Sequence, residues 1–270
     1  MRTRFRHVLA SISVLALAVR GTGVGAETPH YQSSPPRWTI AEKDWGPWLG
    51  PFRAQLVPSL MQDFGEKYLY AAADKALPPP RRGEKRVVFL GDSITDLWDL
   101  ARYFPGKPYI NRGIGGQVTA QMVVRFQQDV VALKPAAVVI LAGINDLHGA
   151  LQRESDEGIE ANMQAMADMA QAHHIKVVFA SIMPVNNYTD NARTTLLDRD
   201  PKRIRALNAW LAGFCRSHGL QYADYYKASV DADGLLRADL TRDGLHPLPA
   251  GYQLMARIAQ PAIDRALGAR

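Results

Sequence analysis

The side chains that could share a proton in this chain are a serine, a histidine and an aspartate far apart in sequence. Ser93 stands in "RVVFLGDSITD", where apolar residues run straight into Gly91-Asp92-Ser93. A serine hydroxyl at a strand end can attack a carbonyl carbon if a base sits beside it. It can also do no more than cap the helix that follows. Asp243 precedes His246 by three residues in "DGLHP". Such a pair suits a base held by a carboxylate; with further ligands it would suit a metal. "AGIND" puts Asn145 just beyond an apolar run, where its amide can hold an oxyanion or cap a turn. "NRGIGGQ" offers a bare backbone N–H at Gly115 or Gly116, or merely a tight turn. Val118 stands where a dinucleotide loop needs its third glycine, and no phosphate-loop Lys-Ser/Thr follows. Asp146, His148, His173 and His174 lack strong ligand spacing, so no metal and no cofactor is expected.

Positioning these residues requires a sheet. "RVVFLG", "YINRG", "AAVVILAG", "IKVVFASI" and "LQYADY" are short apolar runs without period-two alternation. They predict strands buried on both faces. "TAQMVVRFQQDVVAL", "IEANMQAMADMAQAHH", "PKRIRALNAWLAGFCRSHG" and "PAGYQLMARIAQPAIDRAL" repeat apolar residues at three- and four-residue spacing and predict amphipathic helices. Strand–helix alternation implies right-handed crossovers and a mostly parallel sheet covered on both sides. Ligands bind such sheets at the carboxyl ends of the strands. Ser93, the glycine block and Asn145 fall at successive strand ends, and the Asp–His pair precedes the last helix.

Taken in order, "GDSITD", "NRGIGG", "GIND" and "DGLHP" resemble the four blocks of the SGNH, or GDSL-type, esterase and lipase family. The resemblance covers residues 86 to about 268. It implies a three-layer flavodoxin-like α/β/α sandwich and a serine esterase. By this resemblance Ser93 is the nucleophile, His246 its base and Asp243 the residue that holds the imidazole. The oxyanion donors are the Ser93 N–H, the Gly116 N–H and the Asn145 amide. Ile94 and Thr95 follow the serine, so the second glycine of the G-x-S-x-G elbow is absent, which argues against the larger α/β-hydrolase fold. Leu97 departs from the glycine of many relatives and is expected to alter the pocket beside Ser93.

The family spans sugar acetylesterases, lysophospholipases, arylesterases and thioesterases. Two polar segments, 147–158 and 183–201, follow the third and fourth strands and are expected to border the site. Neither holds a long apolar stretch. This favours short acyl groups, acetyl above all, on a polar or carbohydrate alcohol. The alternatives are a lysophospholipase or lipase-type enzyme, and a catalytically idle carbohydrate- or lipid-binding relative.

The formal charge of +6 hints at an anionic partner, but Arg2, Arg4, Arg6 and Arg20 lie in the first 26 residues, which carry no acid. Without them basic residues exceed acidic ones by only two, so nucleic-acid binding is not expected. Residues 1–26 read as a secretory signal, with a basic start, the apolar run "VLASISVLALAV" and a cut near Ala26. The run is too short to span a bilayer comfortably, so no stable membrane span is expected after cleavage, and the protein is read as secreted or periplasmic. Cys215 is the single cysteine and excludes an intrachain disulfide. Residues 27–83, with Trp38, Trp45 and Trp48, form an extension expected to pack on the main domain, 84–270. Within it, residues 56–77 are expected to be helical.

Overall fold

Five short runs, three of them rich in Val, Ile, Phe and Leu, become the strands β1 (Val87–Gly91), β2 (Tyr109–Gly113), β3 (Ala137–Leu141), β4 (Lys176–Ala180) and β5 (Gln221–Ala223). They pair in parallel throughout, in the order β2-β1-β3-β4-β5. The structure, a computed structural model, describes residues 57–151 and 154–268, all within a unit spanning residues 42–270. The predicted signal segment and Trp38, Trp45 and Trp48 lie outside the described residues.

The helices are α1 (Tyr68–Ala76), α2 (Ser93–Asp96), α3 (Leu100–Tyr103), α4 (Thr119–Asp129), α5 (Ile144–His148), α6 (Asp156–Ala172), α7 (Thr195–Asp198), α8 (Pro201–Ser217), α9 (Tyr225–Ser229) and α10 (Pro249–Ala266). Successive strand residues point to opposite faces. Val88, Leu90, Val138, Ile140, Val177 and Phe179 pack with Met122, Phe126, Met163, Met166, Leu207 and Leu211 of α4, α6 and α8. Val87, Phe89, Val139, Leu141 and Val178 face the other way, onto Ile94, Trp98, Met255, Ala259 and Ile263. Both faces are therefore apolar, which is why the strand sequences show no alternation. The result is the three-layer α/β/α sandwich. Each such side chain, fully buried, stabilises the fold by about 1.5–3 kcal/mol.

The chain adds β2 on one side of β1 and β3, β4 and β5 on the other, so a switch point between β1 and β3 opens a crevice at the carboxyl ends. Aromatic packing fixes the last helix there. Trp98 meets Phe89 edge-on at 5.5 Å and stacks on Tyr252 of α10 at 5.7 Å. The Tyr252 hydroxyl donates to the Ile94 carbonyl at 3.0 Å, tying the start of α10 to α2.

The single long helix expected over 56–77 is not what forms. Residues 57–60 are helical, turns follow, and α1 begins only at Tyr68. Glu66 takes a left-handed φ of 52°. The Phe64 and Gly65 carbonyls, which a helix would use internally, instead accept from Gln121 and Gln117 side chains at 2.9 and 3.0 Å. Tertiary hydrogen bonds here override local propensity.

Candidate active site

Two glycines let α2 press onto the strand ends. A Cβ at Gly91 would lie 2.1 Å from Thr95 Oγ1, and one at Gly113 would lie 2.1 Å from the Asp96 nitrogen. The close approach brings Ser93 to the mouth of the crevice. Asp92 supplies the N-cap of α2: it is extended, and its Oδ1 accepts from the Ile94 N–H at 2.9 Å. Capping thus falls to Asp92, and the Ser93 hydroxyl is left to face His246, with Oγ 3.0 Å from Nε2.

Asp92 is fully buried and its Oδ2 has no hydrogen-bond partner. Burial pushes its pKa up to about 7, against the pull of the Ile94 N–H and of His246. The native carboxyl therefore holds a proton at pH values where an unfolded aspartate, near 3.8, has lost it. Its contribution to stability is present at low pH and is lost as pH rises through about 7. Asp92→Asn keeps the acceptor for Ile94 and removes the titration. The variant is expected to gain about 1–3 kcal/mol relative to the parent between pH 5 and pH 8. Urea melts of both proteins at the two pH values measure it, and parallel pH dependence would refute the assignment.

His246 and Asp243 share the tight turn between Thr241 and Pro247. Gly244 at its centre has φ 78°, and a Cβ there would lie 2.3 Å from the Asn186 carbonyl oxygen. The turn returns His246 onto Asp243, whose Oδ2 lies 2.7 Å from Nδ1. Asp243 Oδ1 accepts from the His246 and Leu245 N–H groups at 2.8 and 3.1 Å. Burial raises the Asp243 pKa, but the hydrogen bonds from the His246 ring, the His246 N–H and the Leu245 N–H outweigh it, so the group stays below the ordinary carboxylate range. A carboxylate at Oδ2 assigns the proton to Nδ1 and leaves Nε2 as acceptor toward Ser93.

Across the crevice, Gly116 takes a left-handed φ of 78°. Asn145, in α5 just past β3, donates one Nδ2 hydrogen to the Gln117 carbonyl at 3.0 Å and retains a second. Its neighbour Asp146 serves the frame: its carboxylate accepts from the Thr119 N–H at 3.0 Å and the Thr119 hydroxyl at 2.6 Å, at the start of α4. Burial, opposed by those bonds, pushes its pKa up to about 6. Behind the glycine loop lies Arg125, fully buried. It donates to Gln117 Oε1, to the Arg112 and Gly91 carbonyls and to Asp129 at 2.6, 2.8, 3.0 and 2.9 Å. The outer side of the loop meets the segment before β1. Tyr70 donates its hydroxyl to the Gly113 carbonyl, and Asp74 pairs with Arg112.

Ser93, Gly116, Asn145, Asp243 and His246 all line one cleft of about 530 Å3. His148 and Ala150 from the 147–158 segment and Thr194, Thr195, Asp198 and Arg199 from the 183–201 segment complete its walls with Leu245. A hydroxyl, an imidazole and a carboxylate in hydrogen-bonded sequence, facing an amide donor, can run acyl transfer.

The profile of the GDSL-like lipase/acylhydrolase family matches residues 89–254. The chain belongs to this family. A protein from Bacteroides fragilis NCTC 9343 described as an acylhydrolase is 35% identical, with a TM-score of 0.71, over 76% of this chain and 99% of its own. A GDSL-like lipase from Bacteroides thetaiotaomicron VPI-5482 is 34% identical with a TM-score of 0.71, over 76% of this chain and 100% of its own. The uncharacterized lipoprotein YqeF of Bacillus subtilis strain 168 is 30% identical over 123 residues, 38% of this chain. The chain spans about half the length of that curated relative (51%).

The family membership agrees with the four sequence blocks, and the geometry brings all five expected site residues together. Of the other residues weighed for chemistry, His148 lines the cleft and Asp146 holds Thr119. His174 lies at the opposite end of the sheet, in a separate cavity with Lys176, His218 and Gln221. Leu97 is 61% exposed and does not line the cleft, so its departure from glycine leaves the pocket unaltered. Arg125 and Arg199 escaped the sequence reading. The first sits in an amphipathic helix and the second in a polar loop, where an isolated arginine reads as a solvated charge.

Proposed function

We propose that the protein is an exported serine ester hydrolase that removes short acyl groups, acetyl above all, from a polar or carbohydrate alcohol. The observation that carries this reading is the unbroken chain from Ser93 Oγ through His246 to Asp243, opening on the same cleft as Gly116 and Asn145. In the proposed reaction Nε2 of His246 takes the hydroxyl proton as Oγ bonds to the ester carbonyl carbon. The oxyanion of the tetrahedral intermediate accepts from the Ser93 and Gly116 N–H groups and the free Asn145 amide hydrogen. Collapse breaks the bond to the alcohol oxygen, which leaves with the Nε2 proton. Water, activated by the same nitrogen, then hydrolyses the acyl-serine and releases the acid. Labelling with a fluorophosphonate tests the proposal: the tag should appear on the peptide containing Ser93, and an unlabelled native protein would refute it.

Asn145→Ala is expected to lower kcat by about 10²- to 10³-fold with a smaller change in KM, because its donor matters most as charge develops. Steady-state kinetics on a 4-nitrophenyl ester separate the two. A change confined to KM would place Asn145 in ground-state binding.

The cleft supports the short-acyl reading. Among the described residues of its walls, Ala150 and Leu245 are the two with wholly apolar side chains, enough for a small acyl group. In an apolar tunnel each further methylene would contribute about 0.8 kcal/mol and raise kcat/KM with chain length. The expected result is the reverse, with activity falling beyond butyrate in a series from acetate to palmitate. A maximum at octanoate or longer would favour the lipase reading instead. Export rests on the basic and apolar character of residues 1–26.

A further inference from the structure

Arg199 is 7% exposed and lines the cleft that holds Ser93 and His246. Its Nε is buried without a hydrogen-bond partner. Among the described residues its guanidinium forms no hydrogen bond and no ion pair. The nearby carboxylates are committed elsewhere. Asp198 Oδ2 faces His148 Nε2 at 3.5 Å, and Asp243 is bonded to His246. Asp92 spends Oδ1 on Ile94, and its burial favours the neutral acid up to about pH 7. Burial lowers the Arg199 pKa only to about 10, with Asp198, Asp92 and Asp243 opposing, so the group is charged at neutral pH. A desolvated guanidinium left unpaired is costly to the fold. Its planar fork of donors matches the two oxygens of a carboxylate.

We propose that Arg199 is a specificity-determining residue that binds a carboxylate carried by the ester substrate. The inference rests on the cleft being the esterase site and narrows its substrate to acid-bearing esters. The carboxylate can belong to the alcohol, as in an acylated sugar acid, or to the acyl group, as in a dicarboxylic half-ester.

Matched pairs test both sources. For the alcohol side, 4-acetoxybenzoate is compared with methyl 4-acetoxybenzoate. For the acyl side, mono-4-nitrophenyl succinate is compared with its methyl ester. The parent should prefer the anion in at least one pair by about 10- to 100-fold in kcat/KM. Arg199→Gln should abolish that preference, and Arg199→Lys should restore part of it. The ratio within a pair cancels any general loss of activity. Equal treatment of anion and neutral ester by the parent in both pairs, or an unchanged preference in Arg199→Gln, overturns the proposal. A binding measurement keeps this separate from the esterase reading. Calorimetry on Ser93→Ala, with and without Arg199→Gln, reads the same anion preference in Kd without turnover. Failure to hydrolyse any ester would refute the esterase reading alone. No Kd preference in Ser93→Ala, or a preference that persists when Arg199→Gln is added, would refute the role of Arg199 alone.

Discussion

Ser93→Ala is expected to leave the fold intact and to lower esterase kcat by about 10⁴- to 10⁶-fold. The fold should survive because the hydroxyl holds nothing together: Asp92 caps α2, and the bond Ser93 makes is to the His246 ring. Activity should not survive, because no other side chain stands in its place at the end of β1 and the acyl-enzyme cannot form. His246→Ala should fall to a similar level, and the double variant should lose little more than either single one. The proton and the nucleophile belong to one step, so the two losses do not add. Circular dichroism and thermal melts check the fold, and single-turnover kinetics on 4-nitrophenyl acetate check the rate. A Ser93→Ala protein within tenfold of the parent would overturn the serine mechanism. Additive losses in the double variant would mean that Ser93 and His246 act in separate steps.

The parallel sheet was legible because burial on two faces leaves a mark in sequence: "VVFL" and "AAVVILA" stay apolar at every position, and both became interior strands. The candidate site was legible as a set because Ser93, Gly116 and Asn145 follow the ends of β1, β2 and β3, while Asp243 and His246 precede the last helix. Ser93 alone was ambiguous between cap and nucleophile. In the fold Asp92 takes the capping bond and leaves the Ser93 hydroxyl to His246, a matter of backbone geometry rather than residue type. Residues 56–77 were misread because their apolar spacing suits a helix, while the bonds that break it come from Gln117 and Gln121, some fifty residues on. Arg199 lies beyond such reading for the same reason. Nothing within "LDRDP" shows that the loop folds its arginine inward and turns Asp198 toward His148.

Arg125 predicts the largest loss of stability. Its guanidinium and the Asp129 carboxylate are both fully buried, and its other donors satisfy the carbonyls of Gly91 and Arg112 and the Gln117 amide. Arg125→Met leaves the Asp129 carboxylate without its counter-charge and takes a donor from the Gln117, Arg112 and Gly91 oxygens. The expected cost is about 3–5 kcal/mol in urea unfolding, the range for breaking one partner of a buried pair. The sign of its pH dependence follows from Asp129. Burial already raises that carboxyl, and the Arg125 hydrogen bond and charge pull it down. Without Arg125 the folded pKa moves further above the unfolded one. The variant should therefore be least impaired at low pH and lose stability as pH rises. Replacing Asp129 as well, in Arg125→Met/Asp129→Leu, should recover part of the loss, because the uncompensated charge is gone. Activity should fall beyond what unfolding explains. Gln117 is the residue through which Arg125 reaches the loop of Gly116 and the Asn145 amide, so the proposed oxyanion donors lose their brace. Measured below the unfolding transition, that loss should appear in kcat more than in KM. A stability change under about 1 kcal/mol, or a kcat equal to the parent's in the folded variant, would show that the glycine loop is held without this arginine.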